Sequence, residues 1–266
     1  MFVGTGGRNE FHNKGYDAFI DALALIQKEK NVSKKILAFI YVPDQIYGPR
    51  KDIIGTGETT KTAYTKFLTH EIHAPEYSPI MRKIIDCGFE NKATDNVKII
   101  YVPSFLNGND GVFNTTYYRL LMACDYSVFP SYYEAWGYTP VESLALMVPT
   151  LSTNVAGFGK WIDGLKNIPK DAVDILTRDD FNYLQFVDRV AETIFKKLSY
   201  TKEQTQKAID SAKALYNSCL WENLHKKYEE SYNFALLKAK NKTKKIIRNQ
   251  NNQNMTTNLN RNRHNK

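Results

Sequence analysis

The sequence predicts an α/β fold with a mostly parallel sheet. Short, nearly continuous apolar runs alternate with segments that carry apolar residues at helical spacing, which is the pattern of successive βαβ units. The runs are apolar enough to be strands covered on both faces. The chain has 266 residues, and the 237 that precede a polar tail are enough for one large domain.

Five apolar runs are predicted as strands, at residues 36–42, 97–102, 126–129, 149–153 and 172–176. Helices are predicted where apolar residues recur every three or four positions, at residues 17–28, 116–124 and 141–147. The segment 180–240 is predicted to be helical throughout, with breaks near Ser199 and Ser218.

Residues 48–93 do not fit a minimal alternating sheet and are predicted as an insertion between two strands. The insertion holds a Gly/Thr-rich piece, the segment HEIHAPEYSP and an amphipathic stretch. Its histidines, His70 and His73, lie three residues apart, but no further ligand set accompanies them. We therefore expect a surface helix here and no metal site in the chain.

The start of the chain is unusual, because the glycine-rich stretch GTGG at residues 4–7 comes after only Phe2 and Val3 beyond the first residue. Glycines in this arrangement predict a turn. Such a turn normally follows a strand, so we expect most of a strand, and a segment upstream of it, to be missing.

The net charge of +8 comes from the tail. Nine of the 36 lysines and arginines, and none of the 28 acidic residues, lie from Lys238 onward, so residues 1–237 carry a net charge of −1. Residues 238–266 are rich in Asn and Lys, bury too little apolar surface to fold, and are predicted to be disordered. The tail also lacks interleaved aromatic residues, so nucleic-acid binding is not expected.

Composition and cysteine spacing bound the class of protein. No stretch reaches the roughly 18 apolar residues of a membrane span, and the first residues lack a signal-peptide layout. Cys87, Cys124 and Cys219 lie far apart, which argues against a disulfide framework or a zinc site. A cytoplasmic protein is expected, with a domain at residues 1–237 whose last helices occupy 180–237.

A first candidate site lies at residues 4–15, GTGGRNEFHNKG. Its glycines let backbone N–H groups approach a ligand, and Arg8 and Lys14 place two cations beside a predicted helix start. An arginine fork, a lysine point charge and a helix N-terminus together suit a pyrophosphate. The alternative is a plain strand-to-helix connection, and the stretch is not a GxGxxG nucleotide motif.

A second candidate site, residues 129–142 (FPSYYEAWGYTPVE), follows a predicted strand and leads into a helix, so it lies where α/β proteins bind ligands. Thr139 is predicted as the helix N-cap, and the spacing favours Glu142 as its capping-box partner. Glu134 is either a solvated loop acid or part of a site. The surplus of aromatic rings around it favours a site, because exposed rings are costly unless they pack or stack on a sugar or base.

These motifs resemble the glycogen synthase family of retaining, nucleotide-sugar-dependent glycosyltransferases. The resemblance rests on three ordered pieces, GRNEFHNKGYDAFIDAL (7–23), VKIIYVPSFLNGNDGVFN (97–114) and SYYEAWGYTPVE (131–142), the last followed by PTLSTNVAGFG (149–159). The piece at 97–114 is similar to the bacterial branch in particular. Weaker similarity continues from RDDFNYLQ (178–185) to residue 236.

The resemblance implies a Rossmann-like domain with helices on both faces of the sheet, the second domain of a GT-B type glycosyltransferase. It implies transfer of glucose from UDP-glucose to the non-reducing end of an α-1,4-glucan with retention, without a metal or other cofactor. Arg8 and Lys14 match the pair that neutralises the donor diphosphate, and Glu134 matches the glutamate near the transferred glucose.

The remaining matched positions bind substrate. They are Tyr117 for stacking on uracil (with neighbouring Tyr118 as the alternative), Trp136, Gly137, Tyr138 and Thr139 for glucose and the distal phosphate, and Glu142 for the sugar of the nucleotide.

The sequence also departs from the family. The amino-terminal domain that supplies acceptor contacts is not part of it, so activity is expected to need such a domain as a partner on another chain. Ala135 stands where the family usually has Pro, and the arginine-rich regulatory helix of the eukaryotic enzymes has no counterpart. The alternatives to an enzyme half are an inactive UDP-sugar-binding module or a gene fragment without turnover.

Overall fold

The computed structural model describes the backbone of residues 1–263 and the side chains of residues 1–247. Its strands, in chain order, are β1 (Phe2–Gly6), β2 (Ile36–Tyr41), β3 (Ile46–Pro49), β4 (His70–Ile72), β5 (Val97–Val102), β6 (Tyr126–Val128), β7 (Thr150–Thr153) and β8 (Val173–Leu176). Six of them form one parallel sheet in the order β5-β2-β1-β6-β7-β8. Counted within that sheet the order is 3-2-1-4-5-6, the doubly wound order of Rossmann-like domains.

The five predicted strands are confirmed to within one residue at each end. Their apolar runs are continuous because alternate side chains enter two different cores. In β2, Ile36, Ala38 and Ile40 lie in the larger core, whereas Phe39 and Tyr41 belong to a smaller core on the other face.

The described backbone forms helices α1 (Tyr16–Lys28), α2 (Lys51–Ile54), α3 (Pro79–Asp86), α4 (Tyr117–Met122), α5 (Tyr138–Ala145), α6 (Gly157–Gly164), α7 (Tyr183–Leu198), α8 (Lys202–Cys219) and α9 (Trp221–Arg263). Helices α1, α3 and α7 contribute side chains to the larger core, and α4 contributes to the smaller one. Helices therefore cover both faces of the sheet, as predicted. Helix α6 was not predicted.

Strand β1 corrects the turn predicted at residues 4–7. Gly4, Thr5 and Gly6 pair in register with β2, and β1 also pairs with β6. Close packing explains the glycines: a Cβ on Gly6 would lie 2.9 Å from the Tyr41 carbonyl oxygen, and one on Gly4 would lie 2.8 Å from Cys124 Sγ. Within residues 4–7 the backbone reaches positive φ only at Gly7.

The insertion contains an antiparallel pair, β3 and β4, and the expected surface helix around its histidines is wrong. His70 lies in β4 with its side chain fully buried. Its Nδ1 is 2.9 Å from Thr69 Oγ1 and its Nε2 is 2.7 Å from the Asp110 carbonyl oxygen. His73 stacks on Tyr47 with ring centroids 3.7 Å apart. Burial of His70 is favourable because both ring nitrogens have partners.

The chain forms two compact units, Met1–Asn217 and a second that begins at Ser218. The helical segment predicted after residue 180 is present as α7, α8 and α9, with breaks near both predicted positions. Where the sequence predicts a disordered tail, α9 continues through residues 238–247 with every side chain exposed. Lysine and alanine favour helix even without burial. The side chains of residues 248–266 lie outside the described residues.

Two kinds of feature are absent from the described residues. No group of three or more His, Cys, Asp or Glu side chains is arranged to hold a metal ion. No helix in the described backbone combines the length and the apolar character that crossing a bilayer requires.

Candidate active site

The carboxyl ends of the central strands form one edge of the sheet, and most candidate residues collect there. From β1 the sheet grows toward β2 and β5 on one side and toward β6 on the other, so β1 lies at the switch point where open α/β sheets bind ligands. A cavity of about 170 Å³ opens at this edge. Its walls come from strand ends and from α4 and α5: Gly7, Tyr41, Pro43, Ser104, Phe105, Leu106, Tyr117 and Thr139.

The structure brings Lys14 and Glu134 together although they are 120 residues apart in sequence. Lys14 Nζ donates to Glu134 Oε2 in an ion pair, and the two side chains are only 13% and 24% exposed. Charges shielded from water in this way interact more strongly than charges at the surface. A cation beside a carboxylate is the arrangement needed where a leaving group gains negative charge and a carbon atom gains positive charge.

Arg8 belongs to the same loop as Lys14 but not to the ion pair. Its side chain is 77% exposed, and its Nη2 lies 3.0 Å from Glu10 Oε1. The Arg8 carbonyl accepts a hydrogen bond from the Tyr16 hydroxyl at 3.0 Å, which ties the loop to α1. The two predicted cations are therefore placed differently: the Lys14 side chain is largely shielded from solvent, whereas the Arg8 side chain faces solvent.

The turn after β6 places Trp136, Gly137, Tyr138 and Thr139 at the start of α5. Gly137 precedes the helix with φ of 103°, and Tyr138 is the first helical residue, exposed to solvent. The Trp136 ring packs against Trp161 with centroids 5.8 Å apart. Part of the aromatic surplus in this turn is therefore internal packing, and the rest, including Tyr138, faces outward.

The predicted N-cap at Thr139 and its capping box with Glu142 are wrong. Gly137, at positive φ, turns the chain into the helix before Thr139, and no side chain caps the helix. Thr139 lines the cavity instead. The Glu142 carboxylate accepts a hydrogen bond from the Tyr118 hydroxyl at 3.2 Å. Burial raises the pKa of Glu142, and the bond from Tyr118 acts in the opposite direction.

Tyr117, and not Tyr118, lines the cavity. Its ring meets that of Tyr41 edge-on, with centroids 5.9 Å apart. Burial raises the pKa of Tyr117, so its phenol is neutral near pH 7. The Tyr117 hydroxyl is buried and has no hydrogen-bond partner among the described residues. A buried hydroxyl of this kind is a group that a ligand or a water molecule can satisfy.

Two parts of this edge were not predicted. Residues 104–106 wall the cavity, and their position directly after a predicted strand was the available signal. Arg178 lies beneath the loops, 4% exposed, and donates to the carbonyl of Pro130, which is 48 residues away. No local pattern in the sequence points to Arg178, because its contacts are distant along the chain.

Comparison with known proteins adds sequence relatives. A family model described as "Glycogen synthase" matches residues 50–265. Glycogen [starch] synthase isoform 1 of Saccharomyces cerevisiae is 30% identical over 175 residues, which cover 65% of this chain and 25% of that protein. Isoform 2 of the same yeast is 27% identical over 306 aligned positions, covering 89% of this chain and 43% of the relative. The chain thus spans between a quarter and just under half of these relatives.

Solved structures show the same fold at low sequence identity. A glycosyltransferase from Rickettsia africae matches with a TM-score of 0.51 and 15% identity, covering 88% of this chain and 48% of that one. This likeness concerns fold alone, and it agrees with the predicted Rossmann-like half of a glycosyltransferase. Both relatives described above come from yeast, so the resemblance to the bacterial branch stays a prediction.

Proposed function

Because the chain belongs to the glycogen synthase family, we propose that it is the donor-binding half of a retaining glucosyltransferase. It binds UDP-glucose, and the glucose passes to the non-reducing end of an α-1,4-glucan when an acceptor-binding domain faces the same edge of the sheet. The observation that carries this proposal is the Lys14–Glu134 pair beside a cavity at the switch point.

The donor diphosphate is assigned to the loop after β1 and the start of α5. Lys14 meets it as a point charge and Arg8 as a two-pronged fork, while backbone N–H groups at the start of α5 add donors and partial positive charge. As the bond to glucose breaks, negative charge grows on the diphosphate, and these positively charged and N–H groups stabilise it. Because Lys14 and Arg8 supply two cations to the diphosphate, no metal ion is required there.

Glu134 is assigned to the glucose side of the breaking bond. Its carboxylate lies beside Lys14 and can stabilise the positive charge that develops on the anomeric carbon. In glycosidases, retention requires a nucleophile on the opposite face of the sugar. Trapping of a glucosyl group on Glu134 distinguishes that role from electrostatic stabilisation. Trp136 and Gly137 form the adjoining turn and are assigned to the glucose.

The nucleoside is assigned to the cavity and to Glu142. Aromatic walls from Tyr41 and Tyr117 suit a planar base, and the unpartnered Tyr117 hydroxyl offers it a polar contact. Glu142, held by Tyr118, accepts from the hydroxyls of the ribose.

A second candidate function is UDP-sugar binding without turnover. It is favoured by the position of Arg8, whose side chain faces solvent beside Glu10 and does not join the Lys14–Glu134 pair. The two candidates share the donor site and differ only in whether glucose is transferred.

Calorimetric titration of the full chain with UDP tests the donor site. We expect binding that Arg8→Ala weakens and that EDTA leaves unchanged. No binding at millimolar UDP contradicts both candidates. Addition of the amino-terminal half of a yeast relative, with UDP-glucose and glycogen, then tests transfer: incorporation of glucose supports the enzyme, and donor binding without incorporation supports the binding module.

A further inference from the structure

Arg178 is a buried arginine directly beneath the candidate site. It follows β8 and is only 4% exposed. Its Nη1 donates to the Pro130 carbonyl. The guanidinium carbon lies over two rings, 5.2 Å from the centroid of Tyr132 and 5.0 Å from that of Phe186.

The burial of Arg178 is costly because no carboxylate among the described residues lies within 4.0 Å of it. Burial lowers the pKa of Arg178, and the charge of Asp17 acts against that shift. An arginine retains its proton even so. Among the described residues Lys197 is likewise a buried cation, but it differs in having a direct ion pair with Asp174 at 2.7 Å. Because Arg178 lacks an ion pair of this kind, its burial must be explained by its other contacts.

The contacts of Arg178 join two loops that are far apart in sequence. One loop runs from Pro130 to Glu134, and the other ends at Lys14 and Gly15. A Cβ on Gly15 would lie 2.8 Å from Arg178 Nη1 and 2.1 Å from the Pro130 carbonyl oxygen, so the loops and the guanidinium meet at one point.

A backbone bond reinforces this junction. The Tyr132 N–H donates to the Asn13 carbonyl at 2.8 Å, and the Tyr132 ring lies 5.2 Å from the guanidinium carbon of Arg178. The two members of the ion pair lie close to this junction in sequence. Lys14 is next to Asn13 in one loop, and Glu134 is two residues after Tyr132 in the other.

We propose that Arg178 is a positioning residue, whose guanidinium holds the loop of Glu134 against the loop of Lys14 and so sets the geometry of the diphosphate end of the donor site. This inference rests on the proposed function. The planar guanidinium suits the task because its N–H donors point in fixed directions and its flat face packs on aromatic rings, whereas a lysine ammonium acts as a point charge. Without it, the two loops are joined by fewer contacts and Lys14 is less well aligned with the diphosphate.

Calorimetric titrations of the full chain with UDP and with uridine test this role. In Arg178→Met, which keeps the packing of the stem, we expect affinity for UDP to fall about tenfold, the effect of losing one charged hydrogen bond. Affinity for uridine should stay unchanged, because the nucleoside cavity is walled mainly by β2, residues 104–106 and α4.

Lys197→Met is the matched control. It removes a buried cation that contacts the rings of Tyr126 and Tyr200 and belongs to a cavity that shares no lining residue with the site. We expect lower thermal stability in this variant and unchanged affinity for both probes.

Three outcomes overturn the inference. UDP binding as tight in Arg178→Met as in the wild type excludes a positioning role. An equal loss for UDP and uridine shows general structural damage. A wild-type chain that binds no UDP contradicts the proposed function itself, which is a different result from the first two. If Arg178→Met does not fold, Arg178→Lys keeps the buried charge; severalfold weaker UDP binding with unchanged uridine binding supports the inference, and unchanged UDP binding contradicts it.

Discussion

The candidate site at the carboxyl ends of the strands (the strand-end site) and the insertion are both rich in charged and aromatic side chains. The two regions differ in how many hydrogen-bond and ion-pair partners the fold gives these side chains. In the insertion, Arg50 donates to Asp52 and to the carbonyls of Thr65 and Leu68. Both ring nitrogens of His70 have partners as well. These polar groups are held by the fold, and they stabilise the insertion rather than await a ligand.

At the strand ends the polar groups have fewer partners. The Tyr117 hydroxyl has none among the described residues, Arg8 faces solvent beside Glu10, and Lys14 is paired with Glu134 alone. Cavity size does not separate the two regions, since the insertion holds a cavity of about 210 Å³ and the strand ends one of about 170 Å³. The comparison shows that the number of partners of the polar and charged groups, more than the presence of a cavity, identifies the site.

The largest effect on nucleotide affinity is expected from Lys14→Met. UDP binding should weaken about a hundredfold, because a charged hydrogen bond is lost and Glu134 is left uncompensated near the diphosphate. Titration calorimetry measures the change. In Lys14→Met combined with Glu134→Gln, binding should recover in part, as the repulsion is removed while the cation stays absent. Full recovery in the double variant would mean that Lys14 only neutralises Glu134, as Arg50 does for Asp52.

A smaller effect is expected from Tyr117→Leu. UDP and uridine should both bind about tenfold more weakly, because stacking of a base on an aromatic ring is lost. Tyr118→Leu is the matched control for base stacking and should leave uridine affinity closer to that of the wild type. The reverse order would move the base to Tyr118, the alternative that the sequence leaves open.

Tyr117→Phe examines the same residue through stability. It removes a buried hydroxyl without a partner, so the free energy of unfolding should rise by about 1 kcal/mol, measured by urea denaturation. Loss of stability would show that the hydroxyl is satisfied, as the side chains of Arg50 and His70 in the insertion are.

A still smaller effect, dependent on pH, is expected from Tyr118→Phe. Burial raises the pKa of Glu142 and the Tyr118 bond opposes this, so the variant should raise that pKa further. Binding that uses the carboxylate form is present above the pKa and is lost as pH falls through it. UDP binding by the variant should therefore weaken at a higher pH than in the wild type, with a difference of about two- to fivefold in mildly acidic buffer. Parallel pH profiles would contradict a contact between Glu142 and the nucleotide.

The buried strands were predictable because their apolar runs reflect burial on both faces, a property of each run by itself. Strand β1 was not, since its glycines are explained by the Tyr41 carbonyl and by Cys124, which come from other parts of the chain. The same holds for His70, whose partner Asp110 lies 40 residues away. Local sequence patterns do not predict the structure of a residue whose contacts are distant along the chain.

The site shows the same division. Lys14 and Glu134 were selected by motif, and the structure brings them together, but the start of α5 was misplaced because positive φ at Gly137 is not visible in the sequence. Ordered motifs give the residue types of a site, whereas the loop junction that aligns them, at Gly15 and Arg178, depends on packing.

The smallest effect on nucleotide affinity, and the strictest test of the contrast between the two regions, is expected from Arg50→Met. Loss of Arg50 removes its hydrogen bonds to the carbonyls of Thr65 and Leu68 and its ion pair with Asp52, so the free energy of unfolding should fall by about 1–3 kcal/mol in urea denaturation. UDP affinity should match that of the wild type, because none of these residues lines the strand-end cavity. A variant that stays folded but loses UDP affinity would show that the insertion contributes to the site. The number of hydrogen-bond and ion-pair partners would then no longer separate structural cations from functional ones.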